Sequence, residues 1–335
     1  MRIGLLGATG YTGRLTAAEL HRRGVTARLG GRDPNRLASI GSYGEVVPFD
    51  TEVEPAKLAL FLEGLDAVIS CVGPFDRLGR AVLSAAVANR VPYVDSSGEP
   101  AFLRWAYETF AEAATPVVPA CGMDYVPGDL AAAIAAEELA VPVEHVVVGY
   151  AMTGTSATRG TARSAAGALG TVTLHPRRVR LPFPGGARTG LVLPWGEELT
   201  IPRHLPGAQV ESAFVVPEAV AWSAPALALA APLLPLAGPL LARLAERLPE
   251  GPPPERRELA RADVLAVARG GGREARVLVS CRDVYGLTAQ LLVEAALRLP
   301  AAPGGARTPA QAFPARAFLD SVQGPLLSWR VVAGD

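Results

Sequence analysis

The stretch Arg2-Ile3-Gly4-Leu5-Leu6-Gly7-Ala8-Thr9-Gly10-Tyr11-Thr12-Gly13 decides the fold of this chain. Its first part is a short, mainly apolar run that predicts a buried strand, and its three glycines have the spacing G-x-x-G-x-x-G. A helical pattern follows as far as Gly24, and Val25 to Leu29 predicts a second strand, which ends at Gly30-Gly31-Arg32. Strand, glycine turn, helix and strand in this order are typical of a dinucleotide-binding unit. The alternative is a structural glycine turn that binds no cofactor.

Each glycine of this turn has a separate physical role. Gly7 permits the tight turn out of the strand, Gly10 lets the backbone approach a pyrophosphate, and Gly13 lets the helix pack against the strand. The first N–H groups of the helix carry partial positive charge and can donate hydrogen bonds to phosphate oxygens. The cofactor-binding residues predicted in this turn are Gly7, Thr9, Gly10, Tyr11, Thr12 and Gly13.

The end of the second predicted strand favours one nicotinamide cofactor over the other. NAD-binding proteins usually place an acid about 20 residues beyond the glycines, where it binds the ribose 2′-hydroxyl. This chain has Arg32 in that region, and a guanidinium binds a 2′-phosphate through two hydrogen bonds. The sequence therefore predicts NADP(H). In the NAD(H) alternative, Asp33 takes the hydroxyl and Arg32 is a solvated loop residue.

Composition narrows the class of protein. The chain has 335 residues, is 50% hydrophobic and has a formal net charge of +0, which suggests two domains and gives no electrostatic case for nucleic-acid binding. Lys57 is the only lysine, which excludes the Tyr-x-x-x-Lys pair of short-chain dehydrogenases. The few cysteines and histidines are scattered, so we predict neither a disulfide framework, a metal site nor a catalytic triad. The first strand begins at the N-terminus, so we expect no signal peptide and a cytoplasmic location.

Strands and helices alternate through the first third of the chain. This alternation predicts an α/β protein with a parallel, doubly wound Rossmann sheet. Ligands of such sheets lie outside the carboxyl ends of the strands. Three further predicted strand ends should therefore border one crevice, namely 71–75, 95–99 and 121–125.

The sequence changes character after about residue 143. Weakly alternating runs broken by prolines continue to about residue 217 and predict an open, mixed sheet that forms a second, substrate-binding α/β domain. Two strand candidates flank Gly270-Gly271-Gly272, which indicates a hairpin, and Thr288 to Leu299 predicts an amphipathic helix. Before these runs, Val143 to Met152 predicts a strand, and the small, polar residues 153–161 after it open a predicted helix.

The stretch 219–242 contains 24 residues without a charge. Its length would permit a membrane span, but four prolines argue against a straight one. The stretch fits a hydrophobic surface that touches a membrane, a lipid substrate or a second subunit better than it fits a membrane span. We therefore expect either peripheral membrane contact or a homodimer as alternatives. The equally weighted alternative is buried helices broken by proline.

Four motifs together resemble the saccharopine dehydrogenase-like oxidoreductases, in particular the trans-acting enoyl reductase branch. They are GATGYTG (7–13), SCVGPF (70–75), YVDSSGE (93–99) and CGMDYVPGDL (121–130), and the C-terminal segments 283–299 and 304–313 fit the same family. The resemblance implies a Rossmann domain (1–125), a central substrate domain (126–285) and a C-terminal helix and tail (286–335) that return to the first domain. It also places the segment 71–75, at the end of the predicted fourth strand Asp66–Val72, beside the nicotinamide ribose. The further cofactor residues predicted are Asp50, at the end of the predicted third strand Glu45–Phe49, and Cys71, Val72, Gly73, Pro74 and Phe75.

Hydride transfer leaves an anion on the substrate that needs a proton donor. Asp124 and Tyr125 are the first candidates because they follow a predicted strand end, and Asp95 and Tyr93 come next. Each of them has a structural alternative: the aspartates can cap helices or turns, and the tyrosines can pack in the core.

Three functions remain open on the sequence alone. The first is an NADP-dependent oxidoreductase that acts on a small or lipid-linked hydrophobic carbonyl or enone. The second is a saccharopine-like imine reductase, which needs arginines in its pocket; Arg159 and Arg163 are the only ones near the predicted mouth. The third is a non-catalytic NADP-binding protein that docks on a membrane or a partner.

Overall fold

The computed structural model describes residues 1–155, 177–223, 225, 229, 243–244, 247 and 249–333. The chain forms two compact units. The first contains Met1–Val126 and Tyr285–Phe313, and the second contains Pro127–Val284 and Pro314–Asp335. The segment 286–335, predicted to return to the first domain, is thus divided between the two units.

A parallel sheet of seven strands forms the centre of the first unit. Its strands are β1 (Arg2–Leu6), β2 (Thr26–Gly31), β3 (Glu45–Pro48), β4 (Ala67–Ser70), β5 (Tyr93–Asp95), β6 (Pro116–Val118) and β13 (Gly305–Ala306). The order across the sheet is β13-β6-β5-β4-β1-β2-β3. The accompanying helices are α1 (Tyr11–Arg22), α2 (Pro34–Ala38), α3 (Pro55–Leu62), α4 (Arg80–Ala88), α5 (Pro100–Thr109), α10 (Val284–Arg298) and α11 (Pro309–Ala312).

Strand β1 lies between β2 and β4. Leu5 pairs with Leu29 on one side and with Ile69 on the other, and all three side chains are fully buried. Strands of a parallel sheet are usually covered on both faces, which explains why these strands read as continuous apolar runs. The strand order reverses beside β1, and ligands of open α/β sheets bind at such a reversal. The predicted doubly wound Rossmann fold is confirmed.

The second unit is built on a mixed sheet of seven strands. They are β7 (His145–Thr153), β8 (Arg177–Leu181), β9 (Arg188–Val192), β10 (Gln209–Val215), β11 (Arg261–Gly270), β12 (Arg273–Arg282) and β14 (Leu327–Val332), in the order β14-β12-β11-β7-β10-β9-β8. The described helices are α6 (Val126–Leu139), which begins at the unit boundary, α7 (Glu197–Thr200), α8 (Glu218–Trp222), α9 (Pro254–Leu259) and α12 (Ala315–Val322).

Only β7 and β10 pair in parallel; the other described pairs of this sheet are antiparallel. The glycine run forms the hairpin between β11 and β12, where Gly271 and Gly272 have φ of +54° and +70°. Two successive left-handed residues suit the twist of a two-residue hairpin loop, and glycine adopts them without strain. The predicted mixed α/β second sheet is confirmed.

The charge-free stretch is described only in part. Its start lies in α8, where Trp222 is exposed, and Leu229 is exposed as well. Among the described residues no helix is both long and apolar enough to cross a membrane. The rest of 219–242 lies outside the described residues, as do Arg159, Arg163 and most of the small polar stretch. Membrane contact through 219–242 stays a prediction.

Candidate cofactor and proton-donor site

The glycine turn between β1 and α1 has no room for a side chain at Gly7 or Gly13 and has more room at Gly10. Gly7 has φ of +75°, and a Cβ on Gly13 would lie 2.1 Å from the Gly7 carbonyl oxygen, so neither position accepts a side chain without movement of the backbone. A Cβ on Gly10 would meet only that same oxygen, at 3.3 Å. Helix α1 starts after Gly10 with neither a side-chain cap nor an acid in its first turn. The turn therefore fits a pyrophosphate, which needs close backbone approach and the positive end of a helix.

Arginines cluster where β2 ends, beside the glycine turn. The Thr9 carbonyl accepts hydrogen bonds from Arg14 Nη1 at 2.7 Å and from Arg36 Nη2 at 2.8 Å. Asp33 caps α2: its carboxylate accepts from the backbone N–H groups of Asn35 and Arg36 at 2.9 and 3.2 Å. Arg32 is exposed. The acid of this loop is therefore engaged by backbone N–H groups, while two guanidiniums bind the Thr9 carbonyl of the glycine turn.

Asp50 lies beyond β3, at the start of a loop. Its carboxylate accepts from the backbone N–H of Glu52 at 2.9 Å, and its own N–H donates to Glu54 Oε2 at 2.9 Å. The side chain is half-buried. In the described structure Asp50 shapes its own loop, and its contact with the cofactor stays a prediction.

The turn after β4 contacts the glycine turn directly. A Cβ on Gly7 would lie 2.6 Å from the Cys71 carbonyl oxygen, so the two predicted segments are adjacent. The Cys71 thiol is a neutral group, because burial raises its pKa to about 12. Glu99 Oε1 accepts from the N–H of Phe75 at 3.2 Å, and Glu99 Oε2 accepts from the N–H of Gly98 at 2.9 Å. This carboxylate ties the 71–75 turn to the end of β5.

Asp95 is a structural junction between two strand ends. It is fully buried and accepts four hydrogen bonds, from the Tyr93 hydroxyl (2.7 Å), the Ser97 N–H (2.9 Å), the Ser97 hydroxyl (2.6 Å) and the Ala120 N–H (2.9 Å). Burial raises its pKa to about 6. The Tyr93 hydroxyl is also buried, with a pKa far above its ordinary value because of that burial. Neither group is placed to meet a substrate.

We predict that Asp95→Ala lowers the free energy of unfolding by about 3 kcal/mol, because it leaves several buried donors without an acceptor. Asp95→Asn should cost less, about 1–2 kcal/mol, since its amide oxygen still accepts from Ser97 and Ala120. Urea unfolding of both variants measures the difference. Equal stability of Asp95→Ala and the parent would contradict the proposed structural role of Asp95, which is to connect the ends of β5 and β6 through its hydrogen bonds.

The two predicted proton donors after β6 have different environments. Tyr125 is 2% exposed, and its hydroxyl donates to the Gly98 carbonyl at 2.9 Å. Asp124 is exposed to solvent, yet the protein around it desolvates the carboxyl and raises its pKa above the ordinary aspartate value. Water reaches this carboxyl while protein atoms surround it, which is the environment expected of an acid that meets a substrate.

The start of α10 contacts both the glycine turn and the loop after β6. The Tyr285 ring packs edge-on against Tyr11, with centroids 5.2 Å apart. The Thr288 hydroxyl accepts from the Met123 N–H at 3.2 Å. One further link fixes α10 to the end of α1, where Arg23 Nη1 donates to Glu294 at 2.6 Å. The carboxyl edge of the first sheet is thus completed by a segment 165 residues away in sequence.

Comparison with known proteins agrees with this geometry. A family model described as NAD(P)H-binding matches residues 7–114. Trans-acting enoyl reductases of Mycobacterium ulcerans and Mycobacterium tuberculosis (strain ATCC 25618 / H37Rv) are 32% and 33% identical over 139 and 138 residues, which is 38% of this chain and 33% of each relative. The match thus spans about a third of the length of these relatives. An apo saccharopine dehydrogenase (L-Glu forming) from Saccharomyces cerevisiae has the same fold, with a TM-score of 0.65 and 13% identity over 99% of this chain and 100% of that one.

The first unit thus matches an NAD(P)H-binding family model over residues 7–114. The whole chain has the fold of a saccharopine dehydrogenase, and its N-terminal region is similar to trans-acting enoyl reductases, so the resemblance predicted from the four motifs is confirmed.

The site contains residues that the sequence alone did not reveal. Arg14 and Arg36 lie beside the glycine turn, and Thr288 and Tyr285 reach it from α10. Arg36 had a local signal, because Asp33-Pro34 is typical of a helix start and places Arg36 in its first turn. For Thr288 and Tyr285 the only signal was the family-like segment 283–299, which does not show what it touches.

Proposed function

We propose that this chain is an NADP(H)-dependent oxidoreductase that transfers a hydride to or from a hydrophobic carbonyl or enone, small or lipid-linked. The observation that carries the proposal is the accessible Asp124 carboxyl at the carboxyl edge of an NAD(P)H-binding sheet. The bound dinucleotide would supply the hydride, and the residues of the chain would hold it and deliver the proton.

The preference for NADP(H) rests on the loop after β2. The Asp33 carboxylate is occupied by two backbone donors and so competes poorly for a ribose hydroxyl. Arg32 is exposed beside it, and Arg36 lies one helical turn further on. Two guanidiniums at this position favour a dianionic 2′-phosphate.

The proton would come from Asp124. A general acid works best when its pKa lies near the working pH, and desolvation moves the pKa of this carboxyl upward, in the required direction. Tyr125 would act as a positioning residue, since its hydroxyl donates to Gly98 and so holds the loop after β6 on the end of β5. An enone substrate is supported by the relatives named trans-acting enoyl reductase, which share this N-terminal region.

Calorimetry with NADPH and NADH tests the cofactor assignment. We expect Arg32→Ala/Arg36→Ala to bind NADPH about 100-fold more weakly, because each lost charged hydrogen bond contributes about 1.5 kcal/mol. NADH affinity should change by less than about threefold. Arg22→Ala is the matched control, since Arg22 is exposed and pairs only with Glu19 among its described partners. Equal losses for both nucleotides would contradict a 2′-phosphate site.

A substrate screen with NADPH tests the reaction. Oxidation of NADPH by acyl-linked or free enones and ketones would support the proposal. Oxidation only in the presence of a keto acid with an amino acid would favour the imine reductase instead. Tight NADPH binding without turnover on any of these classes would favour the non-catalytic alternative.

A further inference from the structure

The two halves of a bound dinucleotide would lie over different strands of the first sheet. The glycine turn follows β1, and the arginines proposed for the 2′-phosphate follow β2, so the adenosine half belongs on the β2 side of β1. The other neighbour of β1 is β4, and β5 lies beyond it. The nicotinamide half should therefore extend over the carboxyl ends of β4 and β5, which continue into the segments 71–75 and 95–99.

The segment 71–75 is anchored at both of its ends and accessible between them. At its start, the Cys71 N–H donates to the last carbonyl of β1 at 2.9 Å. At its end, the Phe75 N–H donates to Glu99 Oε1 at 3.2 Å. Between the two anchors, Gly73 is exposed, and a Cβ there would meet nothing nearer than the Phe75 ring, at 3.7 Å. The two anchors therefore determine where the accessible middle of the turn lies.

The second anchor is a buried carboxylate that does not serve its own helix. Glu99 occupies the N-cap position of α5, yet its side chain makes no capping hydrogen bond to that helix. It is 5% exposed, and it accepts from the N–H groups of Phe75 and Gly98. Hydrogen bonds and the positive end of a helix both stabilise a buried negative charge. The carboxylate thus holds two loop N–H groups in place at the start of α5.

The Phe75 ring is held separately from its N–H group. It packs against Phe102, with centroids 5.5 Å apart, and both residues are buried. A Cβ on Gly79 would lie 2.8 Å from the Phe75 ring and 2.9 Å from the Phe102 ring, so the glycine leaves room for this packing. Loss of the contact with Glu99 should therefore free the backbone of the turn while the ring stays in the core.

We propose that Glu99 is a positioning residue, which fixes the backbone of the turn 71–75 against the end of β5 and thereby sets the contacts of the nicotinamide half of the cofactor. This role rests on the proposed NADP(H)-dependent function. Gly98, whose N–H donates to Glu99, also accepts from the Tyr125 hydroxyl at 2.9 Å. The nicotinamide-side turn and the loop that carries Asp124 therefore share one anchor.

Calorimetry with NADPH and with 2′-phospho-ADP-ribose, the same nucleotide without its nicotinamide ring, tests this role. In Glu99→Gln the amide nitrogen donates rather than accepts, so one of the two backbone N–H groups loses its acceptor. We expect this variant to bind NADPH at least about tenfold more weakly, because a displaced turn loses its contacts with the nicotinamide. The affinity for 2′-phospho-ADP-ribose should change by less than about threefold.

A second Glu99 variant separates positioning from folding. Glu99→Asp keeps the charge, and aspartate is favoured at the N-cap position, so α5 should start normally. Its carboxylate is one methylene shorter and no longer reaches the Phe75 N–H, so the selective loss of NADPH affinity should persist. Asp66→Asn is the matched control: its carboxylate accepts the Arg2 N–H at 2.7 Å, at the opposite edge of the sheet. It should bind both nucleotides as the parent does.

The fluorescence of bound NADPH gives a second readout, since it reports on the nicotinamide alone. At saturation, both Glu99 variants should change this emission less than the parent does. Equal weakening of NADPH and 2′-phospho-ADP-ribose binding in Glu99→Gln, or parent-like NADPH affinity in Glu99→Asp, would overturn the positioning role alone. A parent protein that binds neither nucleotide would overturn the proposed NADP(H)-dependent function and the role of Glu99 with it.

Discussion

Replacing Gly13 with alanine should both destabilise the first unit and abolish tight NADPH binding. The new Cβ would lie 2.1 Å from the Gly7 carbonyl oxygen and 2.9 Å from Ala8 Cα, and both are backbone atoms. No side-chain rotation can relieve such a contact, so the start of α1 must move away from β1. We expect a loss of about 2–4 kcal/mol in the free energy of unfolding. We also expect an affinity loss of at least about 100-fold, because the displaced N–H groups no longer point at one phosphate position.

Two other glycine-to-alanine variants separate packing from binding. A Cβ on Gly10 meets only the Gly7 oxygen, at 3.3 Å, so Gly10→Ala should fold almost normally and lose affinity alone. Gly41 lies in an exposed turn where a Cβ would meet only Val46, at 3.9 Å, so Gly41→Ala should change neither property. Calorimetric titration with NADPH and urea unfolding measure both quantities. Tight binding by Gly13→Ala at unchanged stability would contradict the role assigned to this turn.

The features that the sequence predicted well are those with local causes. The glycine spacing, the apolar run of β1 and the Gly270-Gly271-Gly272 hairpin each depend on neighbouring residues, so pattern alone places them. The parallel order of the first sheet follows from regular alternation of strands and helices. Element ends were less predictable: β4 stops at Ser70 rather than continuing to Val72, because the chain turns there to meet Gly7.

The features that escaped prediction depend on contacts between distant segments. Asp129 and His204 are 75 residues apart, and Tyr150 and Glu197 are 47 residues apart. Nothing in the local pattern around His204 distinguishes it from a solvated histidine. Buried polar residues in a variable region carry no periodic signal, so only the fold shows that these side chains meet. The same reason explains why Thr288 was assigned to a helix but not to the cofactor edge.

Replacing Asp124 with asparagine should lower the turnover of NADPH-dependent reduction by about 10²–10⁴-fold, the usual contribution of a positioned general acid. The substitution keeps the size of the side chain but replaces the ionisable carboxyl with an amide, which cannot serve as a general acid. NADPH affinity should therefore stay unchanged, which separates loss of chemistry from loss of binding. The measurement is steady-state kinetics on the substrate that the NADPH screen identifies.

The pH profile distinguishes a catalytic Asp124 from a structural one. As a general acid it must be protonated, so the rate of the parent should fall as the pH rises through the pKa of Asp124, which desolvation places above the ordinary value. Asp124→Asn should lose this limb of the profile. Tyr125→Phe should keep it, and should lose about 1 kcal/mol of stability with the hydrogen bond to Gly98.

Asp66→Asn is the matched control for Asp124→Asn, because Asp66 is an exposed aspartate that precedes β4, at the opposite edge of the sheet. It should retain both the rate and the pH profile of the parent. If Asp124→Asn keeps the parent rate, or loses rate while the pH limb persists, the proton comes from another group and the role proposed for Asp124 is wrong. If Asp124→Asn loses rate and pH limb together while Tyr125→Phe keeps both, the exposed carboxyl delivers the proton and the buried tyrosine only holds the loop.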